Sequence, residues 1–217
     1  MENILILAIN PGSTSTKIAV FKNKDQIFTK NIKHSNGDLA PFAKITDQFE
    51  FRKKVIQKVL QDEGINIDDI RVVMGRGGLI RPIPSGVYAV NEKMKEDLRN
   101  NLQGEHASNL GGLIADDIAR ELPHAKAYIA NPVVVDELEE VARISGHPAL
   151  PRRSIFHALN QKATARRHAE SQNKQYEELN LIIAHLGGGI SVGAHKNGRV
   201  IDVNHAVGGE GPFSPER

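Results

Sequence analysis

The strongest constraint on this chain is a phrase that occurs twice. Ile4 to Ile9 is an unbroken apolar run rich in β-branched residues and reads as a buried strand, followed by the turn Asn10-Pro11-Gly12-Ser13-Thr14-Ser15. Lys17 to Phe21 resumes as a strand, Lys22-Asn23 turns again, and Ile27 to Ile32 forms a third strand. Near the other end the order returns as Leu181 to Leu186, Gly187-Gly188-Gly189, Ile190 to His195, Lys196-Asn197 and Arg199 to Val203, with Asn197-Gly198 a strong hairpin signal. A β-meander at each end predicts two domains built on one plan.

Helices and further strands fill the space between. Val55, Ile56, Val59 and Leu60 recur at helical spacing over Asp47 to Asp62, with Asp47 as the expected cap and Gly64 as the stop. Arg71 to Met74 reads as a strand leading into a Gly75-Arg76-Gly77-Gly78 loop. Asn91 is the expected cap of a helix to Leu102, and Asn109 of one whose stripe is Leu110, Leu113, Ile114, Ile118 and Leu122. Ala127 to Ala130 is a strand, His157 to Arg167 a helix, and Pro148, Pro151 and Arg152-Arg153 a linker. Alternating strands and helices give an α/β class, with domains expected at 1–150 and 151–217. The second has too few elements to cover a sheet before the glycine- and proline-rich end, so this reading expects a truncated domain and no catalysis by the chain alone.

Composition removes several functions. A net charge of +2, from 28 Lys+Arg and 26 Asp+Glu without clusters, lacks the cation density that nucleic acid requires. The absence of Cys excludes disulfides and thiolate metal sites and suits a reducing compartment. Ile4 to Ile9 is too short to span a bilayer and has no basic flank or small-residue cleavage site, so no membrane partner and a cytoplasmic location are expected.

Two turns have the make-up of phosphate sites. Asn10 to Lys17 offers the Ser13 and Ser15 hydroxyls, backbone N–H groups and Lys17; it is not a Walker A loop, since a strand rather than a helix follows. Gly187, Gly188 and Gly189 let the backbone approach an anion closely. The alternative for each is an ordinary polar turn. Gly189-Ile190-Ser191-Val192-Gly193 fits the hydrolase elbow pattern, but that elbow needs a strand-to-helix turn and this segment reads as strand to strand.

Two such turns, one per domain, resemble the nucleotide grip of the actin-like, Hsp70-like and sugar-kinase ATPases, whose domains are ribonuclease H-like. Leu5 to Lys17 resembles the amino-terminal signature of the acetokinase family. Gly75 to Gly78, His106 to Gly112, Phe156 to Lys162, His185 to Gly193 and Gly211 to Arg217 are similar, in that order, to the family's butyrate kinases.

The resemblance implies ATP-dependent phosphorylation of a short-chain fatty acid, with Mg²⁺ and in a homo-oligomer; acetate and branched-chain acids are alternative acceptors. It also implies roles. Asn10 lies near the metal-bound phosphate, Lys17 contacts ATP, and Arg76 holds the carboxylate substrate. His157 and Arg217 stabilise the transferring phosphoryl group, His185 opens the second phosphate loop, and His106 and Asn131 line the substrate cleft. The family has Asp where Asn131 stands, which removes a negative charge there. A regulatory or chaperone-like ATPase lobe would also use both turns but gives Arg76 and Arg217 no role.

Overall fold

The computed structural model describes residues 4–187 and 189–206. By packing, the chain forms two compact units: Met1–Arg81 with Val87–Ala130, and Pro82–Gly86 with Asn131–Arg217.

The first unit is built on a six-stranded sheet of order β3-β2-β1-β4-β6-β5. β1 (Leu5–Pro11), β2 (Ser15–Lys22) and β3 (Asp25–Lys33) form the predicted antiparallel meander, with Asn23 at φ +56° in the second turn. β4 (Ile70–Arg76) and β6 (Lys126–Ala130) run parallel to β1, and β5 (Val87–Ala89) closes the edge antiparallel to β6. A short helix, α1 (Asn36–Leu39), follows the meander, and α2 (Phe49–Asp62), α3 (Glu92–Arg99) and α4 (Asn109–Glu121) supply the crossover helices. Leu7, Ile9, Ile18 and Val20 of the sheet meet Ile56 and Leu60 of α2, and Leu110, Ile114 and Ile118 of α4 with Leu122 just after it; Leu113 of the predicted stripe is buried outside this cluster. Each such side chain buried contributes about 1.5–3 kcal/mol.

Several boundaries differ from expectation for local reasons. α2 begins at Phe49, after a 3₁₀ turn at Ile45–Gln48, and the Asp47 carboxylate accepts from the Lys44 N–H instead of capping it. Gly64, at φ +67°, does end α2: its N–H reaches the Gln61 carbonyl and the Ile65 N–H the Leu60 carbonyl. Asn91 caps α3 through the Met94 N–H, but α3 stops at Arg99, before Asn101 at φ +51°. Asn109 is the first residue of α4 rather than its cap, and its buried amide accepts from the Leu79 N–H and donates to Asn101 and the Gly104 carbonyl.

Gly75 and Arg76 belong to β4 rather than to a loop. Gly75 is required by close approach, not by a turn. A Cβ on it would lie 2.2 Å from the Gly111 carbonyl oxygen, and one on Gly111 would lie 2.3 Å from that of Arg76. Helix α4 thus rests directly on β4 beside Arg76. Gly111→Ala is therefore expected to destabilise the first unit by roughly 3 kcal/mol, because backbone on both sides must separate. Urea unfolding checks this; a loss under 1 kcal/mol would refute the tight contact.

The second unit has a three-stranded antiparallel sheet of β7 (Asn180–Leu186), β8 (Ile190–Lys196) and β9 (Arg199–Val203). Asn197 and Gly198 both have positive φ, as the hairpin signal requires. α5 (Ala158–Ser171) packs Ala165 and Ala169 with Tyr176, Leu181 and Ile183. β7 is not buried throughout: Ile182 and Leu186 on its other face are exposed. The stretch Pro148 to Arg153 lies inside this unit, where Arg152 donates to the Ala142 and Val203 carbonyls. Among the described residues no helix is long and apolar enough to cross a membrane.

Candidate functional site

In the first unit the expected residues gather where parallel strands end, the usual ligand-binding edge of such sheets. Asn10 is near the end of β1, paired with Lys17 on β2, and Arg76 ends the neighbouring parallel strand β4. Arg76 Nη1 donates to Asn10 Oδ1 at 3.2 Å. Burial lowers the Arg76 pKa, yet arginine stays charged at neutral pH. His106 stands just before α4, where its Nδ1 accepts from the Ser108 N–H at 3.1 Å and lies 2.8 Å from the Ser108 hydroxyl. With Nδ1 accepting, the ring's proton is on Nε2. Burial, and then the charge of Arg76, push the His106 pKa down.

The turn between β1 and β2 carries Ser13, exposed, and Ser15, half-buried, with the Gly12 N–H donating to the Ser15 carbonyl at 2.8 Å. Lys17 is exposed.

The second unit brings His157 and His185 together. Their rings stack with centroids 3.7 Å apart and 11° between planes. The His185 Nδ1 accepts from the Asn160 amide at 3.0 Å. A Cβ on Gly189 would lie 3.1 Å from His157 Cε1, and one on Gly187 would lie 3.1 Å from His185 Nε2. These glycines allow the loop to pass close to both imidazoles, for which the sequence reading gave only the anion argument. Asn131 sits at φ +38°, and its Oδ1 accepts from the Ser85 hydroxyl and the Gly86 N–H, each at 2.9 Å. Gly188 and Arg217 lie outside the described residues.

A buried polar chain behind His157 escaped the sequence reading. The Tyr176 hydroxyl donates to His195 Nδ1 at 2.6 Å, and His195 Nε2 donates to Gln161 Oε1 at 2.9 Å. Gln161 Nε2 donates to Ser191 Oγ at 2.8 Å, which leaves the Ser191 proton for His157 Nδ1, also at 2.8 Å. An amide oxygen only accepts, so the polarity runs one way and leaves the His157 ring proton on Nε2. Burial, reinforced by Lys162, lowers the His195 pKa to about 4, so it is neutral as this chain requires. Ser191 is fully buried within β8 and precedes no helix, which removes the hydrolase elbow. The available signal was Gly193, since a Cβ there would lie 2.5 Å from Gln161 Oε1.

Residues 147–208 match the model of the acetokinase family. Over 212 residues, 98% of its length, the chain is 60% identical to butyrate kinase 2 of Clostridium acetobutylicum, and it is 58% identical to butyrate kinase 1 of that organism. The chain is thus similar to proteins of the acetokinase family, the butyrate kinases among them. It spans 59% of the length of each of these acetokinase relatives. Among solved structures, the acetate kinase of Porphyromonas gingivalis aligns at TM-score 0.67 and 18% identity, covering 94% of this chain and 57% of that one. A propionate kinase from Francisella tularensis subsp. tularensis aligns at 0.66 and 18%, with the same coverage. This likeness establishes the expected actin-like ATPase fold for the chain.

Proposed function

We propose that the whole protein transfers the γ-phosphoryl group of ATP to the carboxylate of a short-chain fatty acid, butyrate first among them, giving an acyl phosphate and ADP. The identity of 60% with a butyrate kinase, over 98% of this chain, is the observation that carries this reading. A carboxylic acid with a pKa of about 4 is ionised at neutral pH, so its oxygen attacks phosphorus without a general base. One carboxylate O–P bond forms as the bond from Pγ to the bridging oxygen of ADP breaks, and no proton moves.

In this reading Arg76 takes the carboxylate with its guanidinium fork, and His106 Nε2–H donates beside it. His157 Nε2–H, His185 and Arg217 neutralise charge on the transferring oxygens, and Lys17, Ser13, Ser15 and Gly187 to Gly189 bind the polyphosphate. Asn131 lines the acid's site. For Mg²⁺ the described residues offer the Asn10 Oδ1, a hard oxygen donor of the kind that ion takes, beside the nucleotide's own phosphates. That oxygen is bonded to Arg76 here, so Asn10 serves a cation once the Arg76 fork has turned to an anion. Mg²⁺, when bound, supplies charge neutralisation on the phosphate oxygens. A homo-oligomer in the cytoplasm, with neither nucleic acid nor membrane as partner, belongs to the same proposal.

The test is acyl phosphate formation by the purified whole protein, trapped as hydroxamate, with Mg²⁺-ATP and butyrate, acetate or isobutyrate. Carboxylate-dependent product with butyrate preferred is expected. ATP hydrolysis indifferent to every acid would reject the reading.

A further inference from the structure

Beneath the turn between β1 and β2 lies Arg52, a residue of α2 with no exposed surface. All five of its N–H donors are used. Nε and Nη2 donate to Gln48 Oε1 at 2.9 and 2.8 Å, and Nη1 donates to the Ser15 carbonyl at 3.0 Å and the Thr16 hydroxyl at 2.9 Å. Nη2 also donates to the Ser13 carbonyl at 3.1 Å. Every partner is a neutral oxygen, and among the described residues no carboxylate pairs with Arg52. Asp38, the acid facing this region through His34, is itself bonded to Ser35.

A fully buried cation without an anion is costly, and such charges are normally paired. The geometry shows what this one accomplishes. Arg52 draws the carbonyls of Ser13 and Ser15 inward, while the His34 N–H takes that of Thr14 at 2.9 Å. In a trans peptide the C=O and the next N–H point in opposite directions, so the Thr14 amide is turned to the outer side of the turn, where Ser13 and Thr14 are exposed. The backbone is thus shaped to present donors outward over a low-dielectric positive charge, the arrangement that attracts an anion. The lowered pKa of His34, caused by burial and then by Arg52, agrees with that field.

We propose that Arg52 is a positioning residue for polyphosphate: it fixes the Asn10 to Lys17 turn from within and holds a buried positive charge whose counter-charge is the bound phosphate. This rests on the phosphate-binding reading of that turn.

The whole chain, its Arg52→Gln and Arg52→Lys variants, and a Gln48→Met variant that keeps the charge but frees two Arg52 donors, are titrated with inorganic pyrophosphate by calorimetry. Folding is matched beforehand by thermal melting. The expected result is a loss of affinity of roughly tenfold or more in Arg52→Gln, partial recovery in Arg52→Lys, and a smaller loss in Gln48→Met. A merely structural arginine would leave Lys and Gln alike. If the unsubstituted chain binds and a folded Arg52→Gln binds within twofold of it, the Arg52 proposal fails and the phosphate turn stands. Should Arg52→Gln not fold, equal affinity of Arg52→Lys, Gln48→Met and the unsubstituted chain overturns the proposal. If the unsubstituted chain does not bind pyrophosphate, the phosphate reading of the turn fails, and the Arg52 proposal with it.

Discussion

Arg76→Ala in the whole protein is expected to lower kcat/KM for butyrate by roughly 10²- to 10³-fold, the usual scale for losing a charged donor that orients and stabilises a reacting anion. Arg76 ends a parallel strand whose other neighbour is β6, and α4 rests on the backbone beside it through Gly75 and Gly111. Its guanidinium bonds Asn10, so the fork is presented from rigid elements at the carboxyl edge of the sheet. Arg76→Lys keeps the charge but loses the bidentate geometry and is expected to recover only part of the rate. KM for ATP is expected to change little, because the turn between β1 and β2 has its own supports. Steady-state kinetics with the hydroxamate readout decide it; unchanged use of butyrate by Arg76→Ala removes Arg76 from the carboxylate.

The second large effect is one of pH. The His195 pKa is lowered to about 4 by burial and then by Lys162, with Glu137 opposing; Tyr176 and Gln161 complete its surroundings. The unfolded chain binds a proton near pH 6.5, whereas the folded one binds it only near pH 4. Stability from this depressed pKa is therefore fully present above about pH 6.5 and is lost as pH falls through the folded value, by about 3 kcal/mol in all. His34 and His106 are shifted in the same direction and add to the acid loss. Denaturant unfolding at pH 7 and at pH 4 is expected to show His195→Asn losing clearly less stability between the two than the unsubstituted chain. Equal losses would mean that His195 does not govern the acid limit.

Much of the fold was legible because it depends on local pattern. The β-branched run of β1, the stripe of α4 and the Asn197-Gly198 turn each carry a period or a backbone requirement that a single segment expresses. The same holds for Gly64. Where the reading slipped, a long-range contact had replaced the local rule: Asn109 looked like a cap but serves the Leu79 backbone, and the glycine at 75 looked like a loop but makes room for Gly111. Arg52 left a trace that went unread, since it shares the spacing of four with Ile56 and Leu60 and so sits on the buried stripe of α2.

By itself the sequence determined the two meanders, the α/β class and the residues that resemble a carboxylate kinase's site, because strand and helix periods and short ordered motifs are properties of neighbouring residues. Only the tertiary structure decided which polar groups face one another. Nothing in sequence spacing joins Tyr176 to His157 through His195, Gln161 and Ser191, or sets Arg52 under a turn more than thirty residues away. Those pairings exist because burial strips water from each group and leaves it to find its hydrogen bonds in whatever the folded chain brings alongside.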